Sequence, residues 1–291
     1  MMTDASTRNQ ASFFLVGLPK TGKSTYLAAL DEIIETQRTP GGLESAGFSE
    51  DREYLQLLRE AWLRGQDMPR TTPGNDSIAR LHVRDPESQL IAELLLPDLT
   101  GETFRAQCER REWNKSYREQ VPLTAGILLF VHCEHSAAHQ PIGSSWPLDI
   151  DDEEASKAQG WETKQAARQA KLVELLQFIT EVGRAPQPLR VAVMLSAWDA
   201  VEKAAGGVAQ DPCEFLEQEW PLLHQYLISN PERFAARPYG VSARGGGQED
   251  TARLLEIENP SDRVLIVDDS QRSTDLTRPI RWLLGLTGRN E

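Results

Sequence analysis

A short glycine-rich segment has the residue types and the spacing for binding phosphate groups. It consists of Gly17-Leu18-Pro19-Lys20-Thr21-Gly22-Lys23-Ser24 and is followed by Thr25. Gly17 and Gly22 let the backbone approach a ligand closely and turn successive N–H groups toward it. Lys23 supplies a positive charge for the outer phosphates, and the hydroxyl of Ser24 can bind Mg²⁺. The segment therefore predicts a site for a nucleoside triphosphate with magnesium.

A carboxylate with the right position for the same site follows a later apolar run. Hydrolysis of a triphosphate needs a carboxylate near the Mg²⁺, commonly at the end of a neighbouring strand. Asp98 follows Leu94-Leu95-Leu96-Pro97, and Gly101 three residues later has a backbone N–H for the terminal phosphate. The pattern Asp-x-x-Gly is weak alone and becomes informative through its place after the phosphate loop.

The elements that must position these residues alternate between strands and helices. A buried strand over 13–16 leads into the phosphate loop, and apolar residues at helical spacing predict a helix over 24–35. Further strands are predicted over 78–83, 90–96, 126–132, 190–195, 239–243 and 263–267, and further helices over 51–63, 164–182, 214–228 and 279–286. This alternation indicates an α/β fold with a mainly parallel sheet covered on both faces. The early hairpin would place one antiparallel strand at an edge.

Five segments resemble, in the same order, those of a Ras-like G domain of the translation-factor (TRAFAC) class of P-loop GTPases. They are residues 17–24, Thr71-Thr72, 98–101, 196–199 and 242–244. The stretches LVGLPKTGKST, LLPDLTGE, LSAWDAV, YGVSARGG and LTRPIRWLLG are similar to bacterial double-GTPase domains of conflict and defence systems. The resemblance covers roughly residues 12–245 and a closing helix. It implies GTP or GDP and Mg²⁺ as ligands, and an effector protein or a second GTPase of the same operon as partner.

The resemblance also implies a domain organisation, a three-layer P-loop NTPase fold known as a G domain. We expect residues 1–11 to be a disordered tail and residues 12–291 to form a single G domain, because no linker separates two domains. Insertions are expected at about 134–163 and 246–276, since the basic plan of a G domain does not need them. The insertion at 134–163 and the strand predicted over 263–267 are candidate partner surfaces.

The resemblance assigns the metal ligands and the hydrolytic residues. Ser24, Asp98 and either Thr71 or Thr72 would bind Mg²⁺, and the choice between the two threonines stays open. Arg70 would stabilise charge in the transition state or would simply be solvated.

Three residues depart from the usual pattern of this class. Glu102 stands where many relatives carry a water-orienting glutamine. An ionised carboxylate accepts a hydrogen bond from water but cannot donate one, and it adds negative charge beside the phosphates. Pro19 and Lys20 stand where small relatives often have glycines, and Pro19 removes a backbone N–H. We therefore predict slow intrinsic hydrolysis, with Lys23, Glu102 and Arg70 as the catalytic residues.

The base-reading segments favour guanine. Asp199 would accept two hydrogen bonds from the N1/N2 edge of guanine, which adenine cannot supply. The N–H of Ala243 would meet guanine O6, and Ser242 would brace that turn. However, Ser196-Ala197 replaces the usual Asn/Thr-Lys, so adenine stays an alternative. Trp198 either packs along the base or belongs to the core.

Composition and charge exclude several classes of function. The net charge of −13 argues against direct, non-specific nucleic-acid binding. The longest apolar runs, such as 126–131, are too short to span a bilayer, and no secretory signal is predicted. Cys108, Cys133 and Cys213 fit no disulfide or zinc pattern. We therefore expect a cytoplasmic protein without a membrane segment.

Three hypotheses about function remain open at this point. The first is a GTP-binding switch with slow Mg²⁺-dependent hydrolysis that regulates an effector. The second is an interaction module that binds the nucleotide without hydrolysing it. The third is an adenine-nucleotide P-loop ATPase or kinase.

Overall fold

Nine strands form one sheet in the computed structural model, which describes residues 9–36, 42–47, 52–69, 78–97, 118–119, 121, 124–133, 168–182, 188–269 and 271–286. In chain order they are β1 Gln10–Gly17, β2 Glu44–Ser45, β3 Ile78–Arg84, β4 Ile91–Pro97, β5 Thr124–His132, β6 Leu189–Ser196, β7 Phe234–Ser242, β8 Leu265–Asp268 and β9 Gln271–Ser273. Across the sheet the order is β2-β3-β4-β1-β5-β6-β7-β8-β9.

Helices connect these strands. The described α-helices are α1 Lys23–Glu35, α2 Arg52–Leu63, α3 Arg168–Val182, α4 Trp198–Ala204, α5 Pro212–Glu219, α6 Pro221–Ile228, α7 Thr251–Leu255 and α8 Arg278–Leu283. A short 3₁₀ helix spans Pro260–Arg263. Among the described residues, no helix combines the length and the hydropathy needed to cross a bilayer.

The five central strands β4, β1, β5, β6 and β7 are mutually parallel. Alternate residues of a strand point to opposite faces of a sheet. Phe13 and Leu15 accordingly pack in a core with α1, α2 and α8, whereas Phe14 and Val16 pack in a second core with α3, α5 and α6. The predicted α/β architecture, a mainly parallel sheet between two helical layers, is confirmed.

The prediction of one antiparallel edge strand needs a correction. β3 pairs antiparallel with β4 as predicted, but the short β2 covers its outer side. At the other edge, β8 pairs antiparallel with β7, and β9 pairs antiparallel with β8. The sheet thus has antiparallel pairing at both edges. The sequence predicted a strand over 263–267, which corresponds to β8, but not its antiparallel pairing, and β2 and β9 are too short, at two and three residues, for a side-chain pattern to predict them.

Two strands are four residues longer than predicted. β1 begins at Gln10, so residues 10 and 11 belong to the sheet and not to a tail. β7 begins at Phe234 and contains Pro238, which cannot donate a ladder hydrogen bond. The strand tolerates this proline because β8 pairs only with residues 240–242 and leaves the earlier part of that side of β7 without a β8 partner.

The helical predictions need three changes, one of which is that helix α7 was not predicted. The predicted helix over 214–228 is two helices, α5 and α6, which meet at Trp220. Pro221 ends the first helix because it has no N–H and its ring clashes with the preceding turn. Helix α4 was not predicted. It begins directly after Ala197, whose φ of 60° lets the chain turn sharply out of β6.

The predicted insertion at 246–276 extends the sheet. It contains α7, the 3₁₀ helix, β8 and β9. The predicted insertion at 134–163 lies outside the described residues.

Candidate functional site

The loop between β1 and α1 has a backbone that only particular residues can adopt. Gly17, Lys20 and Gly22 have φ values of 145°, 63° and 86°. A Cβ atom at Gly17 would lie 2.5 Å from the carbonyl oxygen of Phe130 on β5. Gly17 is therefore required by both backbone conformation and space, as the phosphate-loop hypothesis predicts.

The start of α1 suits an anion. Its N-cap is Gly22, whose lack of a side chain leaves the first N–H groups without a side-chain cap, and the first turn contains no acidic residue. Backbone N–H groups and the positive end of the helix dipole therefore face the loop without a compensating carboxylate from that turn. Such a helix start fits a phosphate group.

Lys23 holds its ammonium group inside the loop. Its Nζ donates hydrogen bonds to the carbonyl oxygens of Gly17 at 3.0 Å and Leu18 at 2.8 Å, and to the hydroxyl of Thr21 at 3.3 Å. Burial lowers the pKa of Lys23 to about 8, because a charged amine is less favourable away from water. Thr21 in turn donates to the carbonyl of Leu18 at 2.8 Å. The cation is thus placed where outer phosphates would need it.

The remaining phosphate-loop residues differ in exposure. Pro19 and Lys20 are exposed, whereas Ser24 and Thr25 are half-buried in the first turn of α1. Six predicted site residues, Arg70, Thr71, Thr72, Asp98, Gly101 and Glu102, lie outside the described residues. However, β4 ends at Pro97 and runs parallel to β1 beside it. The chain therefore leaves β4 at the carboxyl ends of the parallel strands, where the phosphate loop also lies.

The two predicted base-reading segments also meet at the carboxyl ends of the parallel strands. β6 ends at Ser196 and the neighbouring β7 ends at Ser242. The hydroxyl of Ser242 donates a hydrogen bond to Oδ1 of Asp199, and the N–H of Gly245 donates to the same hydroxyl at 3.1 Å. Ser242 thereby orients the carboxylate. This bond uses one of two carboxylate oxygens, and an ionised carboxylate has about four acceptor sites in all.

The phosphate loop and the base-reading segment are in contact. A Cβ atom at Gly22 would lie 3.5 Å from the Cβ of Ser196. The hydroxyl of Ser196 donates to the carbonyl of Val131 on β5 at 3.3 Å. The start of α1 therefore lies beside the carboxyl end of β6, three residues before Asp199 in the chain.

Trp198 belongs to the core. Its exposed fraction is 0%, and its ring packs edge-on against Phe215 with centroids 5.2 Å apart. A Cβ atom at Gly240 would lie only 2.4 Å from the Trp198 ring, so the glycine makes room for the indole. Of the two alternatives left open for this tryptophan, packing in the core is correct.

One contact of the base-reading turn was not predicted from the sequence. The carbonyl oxygen of Ala243 accepts a hydrogen bond from the indole Nε1 of Trp62, at 2.7 Å. The two residues are 181 positions apart in the chain. No local pattern signals such a contact.

A protein-family model and several solved structures match this chain. The family model described as Double-GTPase 1 matches residues 14–283. Among solved structures, a bacterial selenocysteine-specific elongation factor EF-Sec is 14% identical with a TM-score of 0.37, and the alignment covers 86% of this chain and 29% of that one. The Ski7 GTPase-like domain of S. cerevisiae, bound to GTP, is 12% identical with a TM-score of 0.42, covering 81% and 43%. The chain thus spans less than half of either protein. No curated protein sequence matches it.

Proposed function

We propose that this chain, which belongs to the Double-GTPase 1 family, is a guanine-nucleotide switch that hydrolyses GTP slowly with Mg²⁺ and regulates an effector. The observation that carries the proposal is the contact between two sites at one edge of the sheet. Lys23 lies in the phosphate loop, and Asp199 lies just beyond Ser196, against which Gly22 packs.

The phosphate half of the site suits a di- or triphosphate. The loop combines the Lys23 ammonium, backbone N–H groups and the uncapped start of α1. All three favour negative charge, and together they place it next to the hydroxyl of Ser24. We propose that Ser24 binds the Mg²⁺ of the bound nucleotide, together with Asp98 and one of Thr71 and Thr72.

The base half of the site suits guanine. A carboxylate accepts hydrogen bonds and donates none while ionised. Guanine presents two N–H donors on its N1/N2 edge, whereas adenine presents an acceptor at N1. Asp199, held by Ser242, therefore matches guanine and repels adenine. The usual lysine of the base-reading motif is replaced by Ala197, so selectivity rests on Asp199 and the turn after β7.

Slow hydrolysis is proposed from the charge of Glu102. An ionised glutamate beside the terminal phosphate would add repulsion where negative charge already accumulates. A partner that supplies or orients groups at that phosphate would accelerate the reaction. We propose that this partner is the effector or a second GTPase of the same operon, acting in the cytoplasm within a conflict or defence system.

Nucleotide titrations test the proposal. Purified protein with Mg²⁺ is titrated with GTP, GDP, ATP and ADP, and phosphate release is followed over many turnovers. We expect tighter binding of GTP and GDP, and release that disappears in Lys23→Ala and Asp98→Ala but persists in Lys20→Ala.

Three outcomes would separate the hypotheses. Tighter binding of ATP than of GTP would refute guanine selectivity and favour an ATPase. Tight GTP binding with equal phosphate release by wild type, Lys23→Ala and Asp98→Ala would refute hydrolysis and leave a binding module. Release that depends on both residues would support the enzyme.

A further inference from the structure

We propose that Trp62 positions the base-reading turn of residues 242–244 and sets how strictly the protein recognises the O6 edge of guanine. The proposal rests on the guanine site proposed above. The indole Nε1–H of Trp62 donates to the carbonyl oxygen of Ala243 at 2.7 Å. The preceding peptide of the turn carries the Ala243 N–H that would meet O6.

Trp62 itself is held firmly. It lies near the end of α2 with an exposed fraction of 3%. The guanidinium of Arg263 lies over its ring, 5.7 Å from the centroid, and donates from Nη1 to the carbonyl of Leu63 at 3.3 Å. A cation over an indole face is attracted by the ring electrons. The indole is therefore fixed by its own burial and by the cation that covers it.

A second contact ties the same turn to the end of α2. Nη2 of Arg244 donates to the carbonyl of Gly65 and to the hydroxyl of Thr251, each at 2.9 Å. Gly65 has a φ of 64°, and a Cβ atom there would lie 2.8 Å from a methyl carbon of Thr251. The chain after α2 and the helix α7 are thus in close contact around Arg244.

These contacts hold every residue of the turn. Ser242 is fixed by Asp199, Ala243 by Trp62, and Arg244 by Gly65. An N–H group binds a ligand atom most favourably when its orientation is fixed before binding, because less conformational entropy is then lost on binding. We call the contacts of Trp62 and Arg244 the α2 anchor.

The substitution Trp62→Phe tests the α2 anchor. It keeps an aromatic ring under Arg263 and removes the N–H donor. Dissociation constants are measured for GTP, ATP and 6-thio-GTP, each with Mg²⁺. In 6-thio-GTP a larger sulfur, which is a weak acceptor, replaces O6 while the N1/N2 edge is unchanged. We expect Trp62→Phe to weaken GTP binding about threefold to tenfold, the range of one neutral hydrogen bond.

The ratio of the dissociation constants for GTP and 6-thio-GTP distinguishes a loss of turn positioning from a general loss of stability. A looser turn both loses the O6 contact and admits the larger sulfur, so the preference for GTP over 6-thio-GTP should shrink in Trp62→Phe. ATP binding should change less than GTP binding. Arg244→Ala, which removes a half-buried side chain from the turn, should shrink the same ratio and provides the test if Trp62→Phe does not fold.

Trp282→Phe is the matched control. Trp282 on α8 is also covered by an arginine, Arg190, at 5.8 Å, but Arg190 lies near the amino end of β6. This variant should keep the wild-type ratio.

Four results would overturn the proposal that the α2 anchor positions the base-reading turn. One is an unchanged ratio in both folded turn variants, and another is an equal loss of GTP and ATP binding in Trp62→Phe. A third is an equal shift of the ratio in Trp282→Phe. The fourth is a wild type that does not prefer GTP to ATP, which would refute the guanine site as well. If the wild type prefers GTP to ATP and the variants keep the wild-type preference for GTP over 6-thio-GTP, only the proposed role of the α2 anchor is refuted.

Discussion

Nucleotide binding should take up protons near pH 8, because of Lys23. Burial lowers the pKa of this lysine to about 8 in the ligand-free protein. Phosphate oxygens beside the ammonium favour its charged form, so its pKa rises when nucleotide binds. At pH 8 about half of the free protein carries this proton and nearly all of the complex does. Binding should therefore take up about half a proton at pH 8 and about a tenth at pH 7.

The same linkage predicts the pH dependence of affinity. The free protein binds fewer protons than the complex, so affinity falls as pH rises through the pKa of free Lys23. Between pH 7 and pH 9 the loss should approach about tenfold, or about 1.4 kcal/mol, provided that the pKa in the complex lies well above 9. This dependence is present only if the lysine titrates inside the loop.

Isothermal titration calorimetry in two buffers of different ionisation enthalpy measures the proton uptake at pH 8. Lys20→Ala should keep it, because Lys20 is the exposed lysine of the same loop. Lys23→Arg should lose it, because a guanidinium stays protonated throughout this range. No uptake in the wild type, or equal uptake in wild type and Lys23→Arg, would refute the reasoning.

Three further predictions concern stability and hydrolysis. Burial raises the pKa of Asp31 from 3.8 to about 6, so ionisation should lower the free energy of unfolding by about 3 kcal/mol as pH rises from below 4 to 7. Denaturant unfolding should show Asp31→Asn gaining up to that amount at pH 7 and little at pH 3.5, and an equal gain at both would contradict this. Gly17→Ala should lower thermal stability more than Gly47→Ala: both glycines have positive φ, but only the Cβ atom added at position 17 would clash, at 2.5 Å from the carbonyl oxygen of Phe130. Equal losses would contradict this clash. Glu102→Gln should accelerate single-turnover GTP hydrolysis, and an unchanged or slower rate would refute the charge argument.

Local signals in the sequence predicted the central architecture. The phosphate loop needs particular residues because its backbone conformation admits few others, and Gly17 and Gly22 have the positive φ values that this requires. The buried parallel strands are apolar throughout, so β5 and β6 could be placed to within about two residues. Asp199 and Ser242 meet because β6 and β7 are neighbours in the sheet, and the sequence suggested a common role for the two residues only through the resemblance to G domains.

Features that depend on distant partners could not be predicted. The contact of Trp62 with Ala243 joins residues 181 apart, and the room for Trp198 depends on Gly240 of another strand. β8 has only four residues, so its pairing with β7 leaves little trace in the sequence. Pro221 separates α5 from α6, but apolar residues at helical spacing on both sides of it predicted one continuous helix.

A reversal of base selectivity tests the central claim, guanine recognition by Asp199, most directly. Asp199→Asn keeps an oxygen that can accept from Ser242, and its amide N–H can donate to the carbonyl at C2 of xanthine, where guanine has an amino group. Dissociation constants for GTP, XTP and ATP are measured with Mg²⁺ for both proteins. We predict that wild type prefers GTP, and that Asp199→Asn loses GTP affinity by roughly tenfold to a hundredfold while preferring XTP. A wild type that prefers ATP, or an Asp199→Asn protein that still prefers GTP to XTP, would contradict the account.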